Sequence, residues 1–145
     1  MSRSGHAALV AAAGMALAAA LIARRRFTVV VVAGASMNPT YQDGDRLLVR
    51  RGGQRPERRA VVVFRTPPQI GATELRWLVK RVVAVPGDPV PRDVRRAAGG
   101  AAVVPPGRLV VRGDNPHSVD SRRFGFVAAA DVLGVAAKRL DHLER

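Results

Sequence analysis

The chain contains no cysteine among its 145 residues. This absence excludes disulfides, thiolate metal ligands and a cysteine nucleophile. The three histidines, His6, His117 and His142, do not have the spacing of metal ligands. We therefore predict neither a metal site nor another cofactor.

Lysine and aromatic residues are also scarce. Of 24 basic residues only Lys80 and Lys138 are lysine, and the formal net charge is +13. Such a charge is typical of proteins that bind nucleic acid or an anionic membrane surface. With four Phe, one Tyr and one Trp, little is available to stack on bases, so we expect no nucleic-acid partner. A lysine in an arginine-rich chain can serve where arginine cannot, because a desolvated lysine can lose its proton.

A long uncharged run, AALVAAAGMALAAALIA, occupies residues 7–23 and is followed by Arg24, Arg25 and Arg26. As a helix it would be about 25 Å long, at the short end of a membrane span. We predict an uncleaved membrane anchor with a basic flank over residues 1–26. A cleaved signal peptide and a targeting presequence are the other interpretations. The three arginines indicate a cytoplasmic location for the chain that follows.

Short strands separated by turn residues are predicted after the anchor. The runs FTVVVVA, DRLLVR, AVVVFR, RWLVKRVVAV and RLVVRGD are rich in Val and Leu, and Gly, Pro and Asp separate them. The pattern predicts a mainly β domain over residues 27–145, a barrel or sandwich of short strands after one N-terminal helix. Residues 88–102 are predicted to form a polar hairpin or loop. Residues 129–145 could form a last strand or a short helix.

Three polar segments interrupt these strands. Ser36, in GASMNPT, is either a turn residue bonded to the local backbone or a nucleophile. Lys80 lies in LVKRVVAVPGD, where strand alternation places it with Leu78 and Val82 on an apolar face. There it would either act as a base of lowered pKa or extend to water. The third segment is RGDNPHSVDSRRFGFV, residues 112–127. It is either a loop whose polar side chains hydrogen-bond to one another or a set of supporting residues that orients a catalytic pair.

Taken in order, SMNPT, RRAVVVF, KRVVAVPGD and GDNPHSVDSRRFG resemble the conserved boxes of the type I signal peptidase family. These are membrane-bound serine-lysine endopeptidases, and the resemblance covers residues 27–138. It implies that Ser36 is the nucleophile and Lys80 the general base. It further implies an acyl-enzyme intermediate that water hydrolyses.

The resemblance also implies supporting residues. Ser118 matches the serine that hydrogen-bonds the lysine, and Asp120 and Arg122 match an ion pair that supports its loop. The family's oxyanion hole would use the N–H of Ser36; Gly34 occupies the position where some relatives carry a second donor. The remaining supporting positions are Gly113, Asp114 and Asn115. The remaining positions of the substrate and oxyanion region are Ala35, Met37 and Pro39.

The implied substrates are exported precursors with a signal peptide or pro-sequence, cleaved after small residues of the Ala-x-Ala type. Both a general signal peptidase and a dedicated maturation protease for one precursor fit the sequence. The implied location is the cell membrane, with a single pass through the bilayer and an extracytoplasmic domain; the mitochondrial inner membrane is the other possibility. The arginines conflict with this orientation unless they bind anionic headgroups. A non-catalytic basic membrane-surface β module is the interpretation outside the enzymes.

Overall fold

A computed structural model describes residues 3–52 and 55–140. The apolar run forms α1, Arg3–Arg26, which is followed directly by the first strand. Residues Ser4–Arg26 are long and apolar enough to cross a membrane, and their most apolar stretch is not buried against the rest of the protein.

In the described part of the chain, seven strands form one antiparallel sheet in the order β1-β2-β7-β3-β4-β5-β6. The strands are β1 (Phe27–Val31), β2 (Arg46–Arg51), β3 (Val61–Arg65), β4 (Trp77–Ala84), β5 (Arg108–Arg112), β6 (Val127–Ala128) and β7 (Val132–Leu140). A short helix, α2, spans Ser121–Phe124, and 3₁₀ turns span Pro68–Ile70 and Ala129–Asp131. The predicted mainly β fold with one N-terminal helix is confirmed.

The ambiguous segment 129–145 begins with a 3₁₀ turn and then forms a strand as far as it is described. β7 pairs with β2 on one side and with β3 on the other, so it joins the two halves of the sheet. The backbones approach closely at Gly134, where a Cβ atom would collide with the carbonyl of Arg50. Glycine is required there because any side chain would push β2 and β7 apart.

Alternation along the strands divides the core between the two faces of the sheet. Val63 of β3 and Val79 of β4 belong to one apolar cluster, whereas Val62 and Val82 belong to a second. Because β3 is buried on both faces, its sequence is a continuous apolar run without alternation.

The segment 88–102 differs from its prediction in one respect. An antiparallel bridge between Pro89 and Val103 closes it as a hairpin-like loop, as expected. However, Val90 and Val94 are buried in a third apolar cluster together with Val104 and Val110. The segment is thus a loop with its own core, because its valines recur among the charged residues at positions that face inward.

Candidate active site

Ser36 lies in the loop between β1 and β2. The loop closes at its base through hydrogen bonds from Val32 N to Asp45 O and from Gly44 N to Val32 O, each 2.8 Å. Met37 is fully buried in the first apolar cluster and holds the loop against the sheet. The neighbouring Ser36 is left half-buried at the surface.

The Ser36 hydroxyl does not act as a turn cap. Within residues 3–52 and 55–140, neither its hydroxyl nor its N–H forms a hydrogen bond with another protein group. The turn is stabilised instead by Asp43, whose carboxylate accepts a 2.7 Å hydrogen bond from Gly34 N. Gly34 has a φ of 84°, a left-handed conformation that favours glycine. A serine or threonine at position 34 would adopt this conformation only with strain.

The Gly113-Asp114-Asn115 segment is fastened to the Ser36 loop. Asn115 N donates to the Ser36 carbonyl and Asn115 Nδ2 to the Ala35 carbonyl, both at 3.0 Å. A Cβ atom on Gly113 would collide with the side chain of Ser118 and the carbonyl of Ser36. Glycine at 113 therefore lets the third polar segment pack directly beneath the nucleophile candidate.

Lys80 lies in β4 opposite Val62 of β3 and has 4% of its surface exposed. Leu78 and Val82 pack in the second cluster and Val79 in the first, so the predicted alternation is confirmed. Among the described residues Lys80 forms no salt bridge. Burial lowers the pKa of Lys80 to about 8, and the negative charge of Asp120 opposes this shift without cancelling it.

Ser36 and Lys80 line the same two cavities, which share Leu75 and Leu78 as well. One cavity, of about 450 Å³, runs along β1 from Thr28 to Val32. The other, also of about 450 Å³, lies on the side of the third polar segment. The fold therefore brings the two predicted catalytic residues to the place where these two cavities meet, and the two cavities together form one groove.

A larger cavity, of about 850 Å³, lies elsewhere, next to Arg58, Pro106 and Arg108. Its lining contains no serine, threonine, histidine or lysine among the described residues. By size alone, the larger cavity would be taken as the active site. Within the described chain, however, only the two smaller cavities are lined by both a serine and a buried lysine.

Asp120 is fully buried and is the main organiser of the third segment. It accepts hydrogen bonds from Gly113 N at 3.0 Å, from Arg122 Nε at 2.8 Å and from Arg122 Nη2 at 2.7 Å. Burial alone would raise the pKa of Asp120, but these hydrogen bonds hold it below its usual value. The ion pair expected between Asp120 and Arg122 is present, and Asp120 also caps α2.

Ser118 departs from its expected contact. Its hydroxyl is buried and has no hydrogen-bond partner in the described structure, so the expected bond to Lys80 is not formed. The tight turn in which Ser118 N donates to Asn115 O, at 3.0 Å, fixes the backbone of Ser118. Ser118 and Lys80 nevertheless line the same cavity.

Sequence reasoning missed Arg81 and Thr40. Arg81 binds Asp114 through Nε at 2.8 Å and Nη2 at 2.7 Å, and Thr40 Oγ1 donates to Asp114 at 2.6 Å. The hydrogen bonds from Arg81 lower the pKa of Asp114. These contacts link the strand that carries Lys80 to the loop that carries Ser36. The position of Arg81 next to Lys80, on the opposite strand face, was the signal that could have identified it.

The chain belongs to the signal peptidase family, peptidase S26, whose model matches residues 6–97 and 91–140. Family membership confirms the resemblance of the four sequence boxes. It also confirms that the chain is an enzyme of the peptidase class.

Three proteins with similar sequences are named as signal peptidases. Signal peptidase I V of Bacillus subtilis (strain 168) is 29% identical over 140 residues, which cover 72% of this chain and 80% of the relative. Probable signal peptidase I-2 of Synechocystis is 30% identical over 135 residues, which cover 74% of this chain and 60% of the relative. Signal peptidase IB of Staphylococcus aureus (strain COL) is 28% identical over 152 residues, with coverage of 77% and 76%.

A solved structure of a signal peptidase I from Enterococcus faecalis is also similar. It aligns with a TM-score of 0.45 and 24% identity, and the alignment covers 59% of this chain and 100% of the other.

Proposed function

We propose that this chain is a membrane-anchored serine endopeptidase that removes signal peptides from exported precursors by cleavage after small residues. Family membership and the names of the relatives support the substrate class. The observation that carries the mechanism is a buried lysine, without a salt bridge in the described chain, that lines the same groove as an unpartnered serine hydroxyl.

In the proposed mechanism, Ser36 Oγ attacks the carbonyl carbon of the scissile peptide bond. The neutral amine of Lys80 takes the hydroxyl proton during the attack. Collapse of the tetrahedral intermediate breaks the carbon–nitrogen bond, and Lys80 donates its proton to the leaving amine. Water then attacks the ester with Lys80 again as base, which releases the signal peptide and restores Ser36.

The burial of Lys80 suits this role. With a pKa of about 8, about a tenth of the amine is neutral at pH 7 and about half at pH 8, and this fraction can accept a proton. An exposed lysine at its usual pKa of 10.5 would be almost entirely charged. Arginine could not replace it, because guanidinium does not lose its proton in proteins.

The Ser36 N–H is the proposed oxyanion donor. It has no partner in the described structure, and it belongs to the same residue as the attacking hydroxyl. The Gly34 N–H is not a second donor, because it already donates to Asp43. The carbonyls of Ala35 and Met37 accept hydrogen bonds within this loop, and Asn115 fixes the carbonyls of Ala35 and Ser36.

The remaining polar residues are proposed to support the pair. Asp120 and Arg122 hold the segment that carries Ser118, and Asp114 with Arg81 joins that segment to β4. We propose that Ser118 orients the Lys80 amine, since both line one cavity.

β1 is the proposed docking edge for the substrate. It pairs with β2 on one side only, so its other edge has unpaired backbone groups that an extended peptide can bind. The cavity along this edge is lined by valines such as Val30 and Val32. We propose that this apolar lining receives the small side chains of the Ala-x-Ala site.

The helix α1 is proposed to cross the cell membrane once, with the β domain on the extracytoplasmic side. The exposed Arg24, Arg25 and Arg26 follow the apolar run directly. In this orientation they would bind anionic lipid headgroups of the outer leaflet. The orientation would be tested by introducing a single cysteine on one or the other side of the helix and treating intact cells with a thiol reagent that does not cross the membrane.

The decisive experiment is cleavage of a precursor bearing an Ala-x-Ala site by the full chain in detergent. We expect cleavage by the wild type and its loss in Ser36→Ala and in Lys80→Arg. Lys80→Arg is the sharper variant because it keeps the positive charge and removes the base.

Lys138→Arg is the matched control, since Lys138 is exposed on β7. It should cleave like the wild type. Normal cleavage by Lys80→Arg would refute the lysine-base mechanism, and no cleavage by the wild type would refute the proposed substrate class. Circular dichroism of each variant separates loss of activity from loss of fold.

A further inference from the structure

The groove has two ends that differ in their relation to the membrane helix. One cavity follows β1 from the region of Ser36 back toward Thr28, and α1 ends at Arg26, just before β1. In the proposed function, the apolar signal sequence is held in the bilayer. In that arrangement this part of the precursor would occupy the β1 cavity, and the chain beyond the cut would leave through the cavity on the other side of Ser36, called here the exit cavity.

The exit cavity is basic. Apart from Lys80, its lining includes Arg123 and His117, and it contains no Asp or Glu among the described residues. The β1 cavity differs, because Glu74 lies there together with Arg51 and Arg76. A negative charge on the departing chain would meet a cation in the exit cavity with no competing carboxylate in the lining.

Arg123 is held in place while its guanidinium stays available. It lies in α2, and its backbone N–H donates to Asp120 O at 2.8 Å. The buried carboxylate of Asp120 already binds Arg122. Arg123 itself is exposed and forms no ion pair in the described part of the chain. The backbone of Arg123 is thus hydrogen-bonded in place, and no ion pair in the described part of the chain neutralises its charge.

We propose that Arg123 is a specificity residue that favours substrates with an acidic side chain within the first three positions after the cleaved bond. This inference rests on the proposed function, since it concerns the part of the precursor that departs as the mature protein. Arg123 would pair with the carboxylate of Asp or Glu as the peptide lies across the groove. It acts on the choice of substrate and takes no part in the chemical step.

The test compares substrate pairs within each enzyme. Precursor peptides with one Ala-x-Ala site carry either Asp or Asn at the first, second or third position after the cut. The full chain in detergent is assayed at low ionic strength for the ratio of kcat/KM between the Asp and Asn members. We expect a ratio of about two to five at one position at least, as for a partly exposed ion pair, falling as salt is added.

The variants separate this role from a structural one. In Arg123→Gln the ratio should fall to about one, in Arg123→Lys a part of the preference should remain, and in Arg123→Glu the Asn member should be favoured. Arg92→Gln is the matched control, because Arg92 is also exposed but does not line the cavity. It should keep the ratio of the wild type.

A wild-type ratio of one at all three positions would overturn the inference, as would a preference for Asp that survives in Arg123→Gln. Either result is compatible with cleavage of the Asn peptides, so the proposed function would stand. If the wild type cleaved no peptide of the series, the proposed function would fail and this inference with it.

Discussion

Lys80 and Lys138 lie on strands of one sheet but in opposite surroundings. Lys80, on β4, is opposite the buried Val62 and is 4% exposed. Lys138, near the end of β7, is opposite Leu48 at the rim of the sheet and is exposed. The first amine has lost most of its hydration, whereas the second keeps it.

The difference shows that an ionisable residue gains chemistry from its position in the fold. The pKa of Lys80 is lowered to about 8 because charging an amine among apolar side chains is unfavourable. The same burial destabilises the folded protein whenever the amine is protonated. The burial that suits Lys80 to its proposed role as a base therefore also lowers the free energy of unfolding. Cleavage activity and stability can be measured on the same variants.

The largest effect is expected from Lys80→Met, which removes the amine and keeps an apolar chain of similar length. Cleavage should fall by about 10²- to 10⁴-fold, the usual contribution of a general base. At neutral pH the free energy of unfolding should rise by about 2 kcal/mol, since the cost of burying the amine disappears. Precursor cleavage and urea denaturation in detergent measure the two quantities.

Lys138→Met provides the comparison at the exposed site. It should leave cleavage unchanged and alter the free energy of unfolding by less than about 0.5 kcal/mol. A Lys80→Met protein that is less stable than the wild type would contradict the view that burial of this amine is unfavourable.

The next prediction compares the stability contributions of two aspartates, each of which forms an ion pair with one arginine. Asp120 is fully buried beside Arg122, whereas the side chain of Asp93, which binds Arg112, is 51% exposed. Asp120→Asn should lower the free energy of unfolding by about 2–4 kcal/mol because it leaves Arg122 without its charged partner. Asp93→Asn should cost less than about 1 kcal/mol. Equal losses in the two variants would show that burial does not distinguish the pairs.

The contribution of Asp120 should also depend on pH in a defined direction. Its pKa is lower in the folded protein than the ordinary value of 3.8. Its stabilisation is therefore complete above that value and is lost as the pH falls through the lower, folded pKa. The difference in stability between the wild type and Asp120→Asn should shrink under strongly acidic conditions.

The last effect is the pH dependence of the wild type. kcat/KM should fall about tenfold per pH unit below the Lys80 pKa of about 8 and level off above it, because the neutral amine is the base. Since Asp120 raises the pKa of Lys80, Asp120→Asn should move this limb to lower pH. A profile that is flat from about pH 6 to about pH 9 would rule out Lys80 as the titrating base.

Stability should follow the same group. The pKa of Lys80 is about 8 in the folded protein, whereas an exposed lysine has the ordinary value of 10.5. Between these two pH values the unfolded chain therefore binds more protons than the folded protein. The free energy of unfolding should therefore rise with pH across this window, and the rise should be absent from Lys80→Met.

Much of the fold was predictable because the patterns were local. The uncharged run predicted α1, the Val-rich runs predicted the strands, and alternation placed Leu78 and Val82 on one face of β4. The strand β7 was ambiguous, because its Ala-rich end has no clear period and its pairing with β2 and β3 is made over a long sequence separation.

The candidate site was predictable only in part. Ser36, Lys80 and Asp120 were predicted from the family resemblance of the ordered sequence boxes that contain them. The contacts of Asp114 with Arg81 and Thr40 were not, because each partner comes from a different segment and no local pattern couples them.

The sequence by itself carried the family resemblance, the strand pattern and the two residues that the resemblance implies for catalysis, since short motifs and their order are local features of the chain. Only the tertiary structure decided that Ser36 keeps an unpartnered hydroxyl, that Lys80 is buried without a salt bridge in the described chain, and that both meet in one groove. The reason is physical. Desolvation and hydrogen-bond partnership depend on which distant segments surround a group, and folding alone brings those segments together.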